Sequence, residues 1–242
     1  MSKRHGSYGF DAPWALVGLL FGAIVLGGLA AVSFAFDILA AGIAFLAGGL
    51  YTLASAVSYV YTTRRGKFAV WHEELQRLRG DERLLDLGCG RGAVLLMAAA
   101  RLDKGTATGI DLWRVKDQSG NEEPVTRANA EAEGVSERVE LITGDMRDLP
   151  FGEGSFDVVV SSQAIHNIPG EEGRAQAVRE AYRVVRPGGL MLIADFQHTP
   201  AYENTLREIG VTDVRRRDAG WRFWYGGPWF ATGILEARKP AG

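Results

Sequence analysis

The residues best able to do chemistry in this chain are acids and glycines that stand where apolar runs stop. The stretch Leu84-Leu85-Asp86-Leu87-Gly88-Cys89-Gly90-Arg91-Gly92 carries an apolar run through three alternating glycines into an apolar segment at 93–100. That order reads as a strand, a tight loop and a helix start. Gly88, Gly90 and Gly92 would let bare backbone amides approach a nucleotide-like ligand. A second acid, Asp111, ends the next apolar run, where a ribose diol would lie. A third, Asp145, stands in Thr143-Gly144-Asp145-Met146. Two further segments hold groups able to take a proton. SSQAIHN contains Gln163, His166 and Asn167, and ADFQHT contains Asp195, Gln197 and His198. Any one of these acids could as well be a surface residue or helix cap, so their order along the chain carries the argument.

The elements that must position them alternate. Strands are expected at 83–87, 107–110, 139–143, 156–161, 190–194, 211–216 and 232–237, and helices at 92–102, 123–133, 172–185 and 201–209. Repeated βα units imply an α/β fold with a doubly wound, mostly parallel seven-stranded sheet covered on both faces. The candidate ligands then fall at the carboxyl ends of strands, where open α/β sheets bind.

The pattern D-x-G-x-G-x-G, together with Gly109-Ile110-Asp111-Leu112-Trp113, the Asp145 segment, the strand 155–162 and the turn Arg186-Pro187-Gly188-Gly189, resembles the class I methyltransferases. A dinucleotide loop would want G-x-G-x-x-G instead. The resemblance covers roughly residues 80–239. It implies S-adenosylmethionine (SAM) as methyl donor, S-adenosylhomocysteine as product and no metal. Under it, Asp86, Gly88, Gly90 and Gly92 form the methionine and ribose loop, and Asp111 accepts from the ribose hydroxyls. Leu112, Asp145 and Met146 meet the adenine, and Ser161 closes the strand end facing the methyl group. His166 occupies a position where ubiquinone-biosynthesis C-methyltransferases and their relatives often carry His. Asp195, His166 and His198 are the expected catalytic groups.

Composition bounds the partners. Formal charge is −2. Residues 1–67 hold Lys3, Arg4, Arg64, Arg65 and Lys67 against Asp11 and Asp37, a balance of +3, so the remainder carries −5. A domain with that balance has no basic field for nucleic acid. Cys89 is the single cysteine, which excludes intrachain disulfides, and the four histidines are scattered, without metal-ligand spacing.

Between residues 12 and 63 the only charge is Asp37. Each uncharged half, 12–36 and 38–63, is long enough for a bilayer, which needs about 20 residues. A single helix would run about 78 Å at ~1.5 Å per residue, so a transmembrane hairpin turning at 34–38 is expected. Basic residues at both outer ends place both termini and the catalytic domain in the cytoplasm. Gly18 and Gly22, with Ala40, Ala44 and Gly48, would let the two helices pack closely and leave room for homo-oligomer contacts through the membrane. A cleaved signal peptide accounts for one apolar stretch but not two. A buried soluble hairpin would need surface charges that are missing. The expected organisation is a cytoplasmic N-terminal segment at 1–11, the hairpin at 12–63, an amphipathic linker helix at 64–80 and the SAM-binding domain at 81–242.

For the acceptor, Gln163 and Asn167 lie beside the expected methyl position, and six aromatics crowd residues 221–230, among them Trp224 and Tyr225. With Tyr8, Asp11 and Asp117 they would enclose a flat nitrogen heterocycle or amine. Equally they suit a membrane interface. The Asn/Asp-Pro-Pro-Tyr/Phe motif of amide and exocyclic-amine methyltransferases is absent. The expected activity is therefore methylation of a small or lipophilic acceptor, with amine or imidazole-like nitrogen placed ahead of the oxygen or carbon of a quinone or lipid. A non-catalytic SAM-binding membrane scaffold, a nicotinamide oxidoreductase and a protein methyltransferase are the competing readings.

Overall fold

The computed structural model describes residues 4–114 and 120–241. Two apolar helices, α1 (Pro13–Ala35) and α2 (Leu39–Tyr61), form an antiparallel hairpin. Both are long and apolar enough to cross a membrane. Their turn is set by Asp37, which takes a left-handed conformation (φ 58), a region Asp tolerates better than most residues. Close packing falls at Gly42, where a Cβ would stand 2.4 Å from the Phe34 ring, and at Gly49, against the Gly27 backbone. Gly18, expected as a packing residue, has open space where its Cβ would be.

The linker does not form a separate helix. A π-helical turn, Thr62–Gly66, carries α2 straight into α3 (Lys67–Glu74) and a 3-10 turn, so one helical rod runs from Leu39 to Arg77. The reason is local. At Gly66 the rod lies against the backbone carbonyl of Arg222, so close that an added Cβ would sit 1.7 Å from that oxygen. Gly66→Ala should therefore part the rod from the 221–223 turn, at about 1–3 kcal/mol for overpacking. Thermal unfolding in detergent would show a lower midpoint, and an unchanged midpoint would mean that the junction yields freely.

The α/β domain follows as β1 (Arg83–Leu87), α4 (Ala93–Ala99), β2 (Thr106–Asp111), α5 (Glu123–Ala132), β3 (Val139–Thr143), β4 (Phe156–Ser162), α6 (Glu171–Arg183), β5 (Val185–Asp195), α7 (Thr199–Glu208), β6 (Val214–Asp218) and β7 (Gly233–Arg238). Strand order is β3-β2-β1-β4-β5-β7-β6, with β7 antiparallel to both neighbours. Alternate residues of each central strand feed two cores. Leu84 and Val160 join one with Trp71 and Leu75, whereas Leu85 and Val159 join the other beneath α6 and α7. The strand order reverses direction at β1 and β4, and there the carboxyl ends of the strands leave a crevice.

Candidate active site

The glycine loop opens that crevice. Gly88 and Cys89 donate their amides to the Ile110 carbonyl, at 2.8 and 3.3 Å, which ties the loop to the end of β2. Gly88 has φ +69, and a Cβ there would stand 2.3 Å from the Ala164 Cβ, so no other residue fits. Asp111 locks the far side. Its Oδ2 accepts the Gly90 amide at 2.9 Å, and its Oδ1 accepts the Trp113 amide and the Asn121 side-chain amide at 2.7 and 3.1 Å. One carboxylate thus shapes the loop and still presents acceptor capacity to the crevice. Asp111→Ala should weaken SAM binding about 10- to 100-fold, the range for losing a charged hydrogen bond of about 1.5–3 kcal/mol. Calorimetric titration is the check, and unchanged affinity would remove Asp111 from ribose binding.

Behind the loop lies Asp86, 2% exposed, at the cavity wall. Burial pushes its carboxyl well above the usual range, and Asp111 adds to the rise. Cys89 is pushed up for the same reasons, which keeps its thiol protonated. Asp145 differs. Its two oxygens are held by the Arg147 guanidinium, at 3.0 Å from Nε and 2.5 Å from the terminal nitrogen, and that pairing lowers its carboxyl. In this arrangement little acceptor capacity remains for an adenine amino group. A cation with a ribose suits such a wall, because positive charge beside Asp86 and Asp111 offsets their burial.

The crevice continues as a cavity of about 770 Å³. Gln163, His166 and Asn167 line it. Gln163 holds a left-handed conformation (φ 56), braced by Nε2 donating to Thr232 Oγ1 at 2.9 Å and by its amide donating to the Ala194 carbonyl. His166 Nδ1 lies 2.8 Å from Asp195 Oδ1, and its backbone amide donates to Asp195 Oδ2 at 3.1 Å. Tyr202 donates its hydroxyl to Oδ2 at 3.2 Å. Asp195 is 1% exposed and stands behind His166, outside the cavity wall. With Nδ1 engaged, Nε2 is the nitrogen left to serve the cavity.

Other expected site residues take different places. His198 is set apart from the cavity: with φ 62 it starts α7 and packs on Tyr202. Ser161 is buried and donates to the Leu87 carbonyl at 2.9 Å, bridging β4 to β1. The neighbouring Ser162 lines the cavity and accepts from Trp71 Nε1 at 2.9 Å. Gly90 and Gly92 set the loop's turns (φ +51 and +83) without lining the cavity, whereas Leu112 and Met146 do line it. Tyr8 packs edge-on to Phe68 and donates to Glu133, again outside the cavity. Trp224 gives its carbonyl to Ser58 and Thr62 of the rod. Asp117 falls outside the described residues.

Asp11 and Tyr225 do line the cavity, and they meet Lys67 there. Lys67, 6% exposed, places its Nζ 2.6 and 2.9 Å from the Asp11 oxygens, and Tyr225 donates to Oδ2 at 2.9 Å. Burial, with Asp11 alongside, pushes the Tyr225 hydroxyl up. The carboxylate that would orient a cationic amine is therefore already paired. Residues 5–7 are pinned to α5 and to the loop, through Glu133, Asn129 and Arg91.

Sequence reasoning missed Trp71, Lys67, Ser162 and Phe196. Trp71 was visible only as a member of an amphipathic pattern, and Lys67 only as one of the basic residues flanking the hairpin. Phe196, wedged between Asp195 and Gln197, packs its ring 4.7 Å from the His166 ring.

Among the described residues, no cluster of His, Cys, Asp or Glu could hold a metal. Residues 85–193 match the family model described as "Methyltransferase domain". The 27-O-demethylrifamycin SV methyltransferase of Amycolatopsis mediterranei (strain S699) is 36% identical over 141 residues, 55% of this chain and 47% of that protein. The ubiquinone/menaquinone biosynthesis C-methyltransferase UbiE of Dinoroseobacter shibae is 33% identical over 167 residues, 64% of this chain and 63% of that protein. The chain spans about half to two thirds of the length of these curated relatives. Among solved structures, the [4+2]-cyclase SpnF superposes with a TM-score of 0.58 at 22% identity, covering 71% of this chain and 81% of that one. A geranyl diphosphate methyltransferase bound to GPP and sinefungin gives 0.56 at 14%, covering 73% and 78%. At those identities the superpositions speak for the fold alone. Fold, loop and family match agree: residues 85–193 match a methyltransferase domain, the sheet has the class I methyltransferase strand order, and SAM is the methyl donor typical of that family.

Proposed function

We propose that this protein is a membrane-anchored methyltransferase that transfers the SAM methyl group to an oxygen or carbon of a small, membrane-partitioned acceptor. The observation that carries the reading is one cavity joining the Gly88 loop to the His166–Asp195 pair and onward to the hairpin. The matched relatives are named for an O-methyl position on rifamycin and for C-methylation in quinone biosynthesis. Both favour oxygen or carbon over the nitrogen acceptor expected from the aromatic run.

SAM, when bound, supplies an electrophilic methyl group on a sulfonium, which leaves with the sulfur retaining the bond pair. Asp86 and Asp111 favour that cation, and the Gly88 and Cys89 backbone lets it approach. The acceptor is held in line by Gln163 and the aromatic wall of Phe196, Tyr225 and Phe230. As the new bond forms, His166 Nε2 takes the proton released from an acceptor hydroxyl or activated carbon, and Asp195 stabilises the resulting imidazolium. Phe196 and Trp71 add apolar wall that keeps water from the reacting atoms. The hairpin anchors the domain at the bilayer, and the basic residues flanking both of its ends support a cytoplasmic catalytic side.

Nitrogen methylation is a second reading, favoured by the aromatic wall beside Asp11. Against it stands the Lys67 ammonium, 2.6 Å from Asp11, which cancels the charge a cation would seek. The test is turnover in detergent with SAM and a panel of phenols, quinols, amines and imidazoles. S-adenosylhomocysteine release with phenols or quinols supports the proposal. Release only with amines or imidazoles would replace it.

A further inference from the structure

The cavity does not end at the catalytic domain. Ala15, Gly18 and Leu19 of α1 and Tyr51, Thr52 and Ser55 of α2 form its far wall. Taking ~1.5 Å of rise per residue, Ser55 lies about 9 Å and Tyr51 about 15 Å up the rod from Tyr61. Leu19 lies about 9 Å from Pro13 on the same scale. Half the hydrocarbon core of a bilayer is about 15 Å, so in a hairpin that spans the membrane the α2 side of this wall reaches about the depth of one leaflet and the α1 side more than half of it. A pocket for a water-soluble acceptor has no need of that depth.

The wall is also built as a surface. A Cβ on Gly18 meets nothing within 4 Å, so this glycine opens space where Gly42 and Gly49 close it. Thr52 spends its hydroxyl on the Gly48 carbonyl at 2.8 Å, leaving its methyl for contact. Opposite, Gly226 approaches Leu19 and Ser55, and Gly227 approaches the Tyr51 hydroxyl. The 224–230 loop is bound to the rod by Thr62 Oγ1 donating to the Trp224 carbonyl at 2.6 Å and by the Tyr59–Tyr225 ring contact at 5.5 Å. Hairpin and loop therefore flank one slot, mostly apolar, that runs past the paired Asp11 and Lys67 to His166.

We propose that the hairpin is a binding subsite as well as an anchor. An apolar chain of the acceptor, roughly 9–15 Å long, lies between α1, α2 and the 225–230 loop while its compact polar head reaches His166. The acceptor passes sideways from the cytoplasmic leaflet into the slot. This rests on the methyltransferase reading above and adds to it the class of acceptor, a single-headed amphiphile dissolved in the membrane.

The test uses the full chain in phosphatidylcholine nanodiscs saturated with S-adenosylhomocysteine. The probe is 4-decylphenol carrying a diazirine in its alkyl chain. After irradiation, peptide mass spectrometry should find adducts concentrated on Leu19, Tyr51, Thr52 and Ser55. Gly18→Phe should cut that labelling about tenfold, the factor for losing contact worth roughly two buried methylenes. Gly28→Phe, at an exposed position of α1 with equally open space, should leave it unchanged. Labelling spread over the outer residues Ile24, Ile43 and Val57, and indifferent to Gly18→Phe, would overturn the subsite. Calorimetry with S-adenosylhomocysteine on the same samples reads the methyltransferase site separately, so failure of that site and failure of the slot give different results.

Discussion

Gly88→Ala should weaken SAM binding by a hundredfold or more. Two costs combine. A left-handed backbone at a residue with a Cβ costs about 1–2 kcal/mol, and Gly88 sits at φ +69. The added Cβ would also stand 2.3 Å from the Ala164 Cβ and 3.2 Å from the Met146 Cε. Ala164 lies between β4 and the His166 turn, so relief can come only by moving the cofactor wall. Overpacking of that kind costs about 1–3 kcal/mol more. Gly134→Ala is the matched control. It carries the same backbone cost at φ +70, but its Cβ meets open space. Titration with SAM should separate the two variants, and equal affinities would show that the loop adapts without loss.

Removing the imidazole is the second large effect. His166→Ala should slow methyl transfer by roughly 10²–10⁴, the usual range for a positioned general base, with SAM affinity unchanged. Imidazole added to the medium should restore part of the rate, because the variant leaves a ring-sized gap at the cavity wall. Asp195 acts through His166 and serves as a positioning residue. Asp195→Asn should lower kcat while leaving the KM for SAM alone, and Asp195→Glu should recover part of the loss. Fold damage would instead raise KM and lower the unfolding midpoint together. If His166→Ala keeps full turnover, the acceptor needs no base and His166 is a packing residue.

Features governed by local rules could be read in the residues. Glycines alternating after an apolar run mark a loop whose backbone must take left-handed turns, and Gly88, Gly90 and Gly92 all do so. Acids at strand ends are legible because a parallel sheet binds along one edge, which is where Asp111 and Asp145 fall. The hairpin was legible from missing charge, since apolar runs of that length have few other solutions.

What escaped depended on direction. An apolar run states that a helix is buried or in lipid, but it does not say which face looks into a cavity, so Gly18 read as a packing residue. Asp195 and His198 sit three residues apart in one segment. Asp195 ends β5 facing back toward the His166 turn, whereas His198 is carried past the crevice by the start of α7. Ser161 and Ser162 illustrate the period of two: adjacent in sequence, they face opposite ways, one bridging to β1 and one opening on the cavity. The pairing of Asp11 with Lys67 spans 56 positions, and no local pattern announces it. That pairing changes the chemistry expected of the site, because it converts a candidate cation-binding carboxylate into part of the wall.

The most direct measurement is transfer of label from methyl-labelled SAM by the full chain in nanodiscs, supplied with a total extract of small molecules and lipids. Label should pass into a small molecule recovered in the organic phase, with one S-adenosylhomocysteine formed per methyl transferred. Label in protein bands or in water-soluble amines alone, or no S-adenosylhomocysteine at all, would contradict the proposed function.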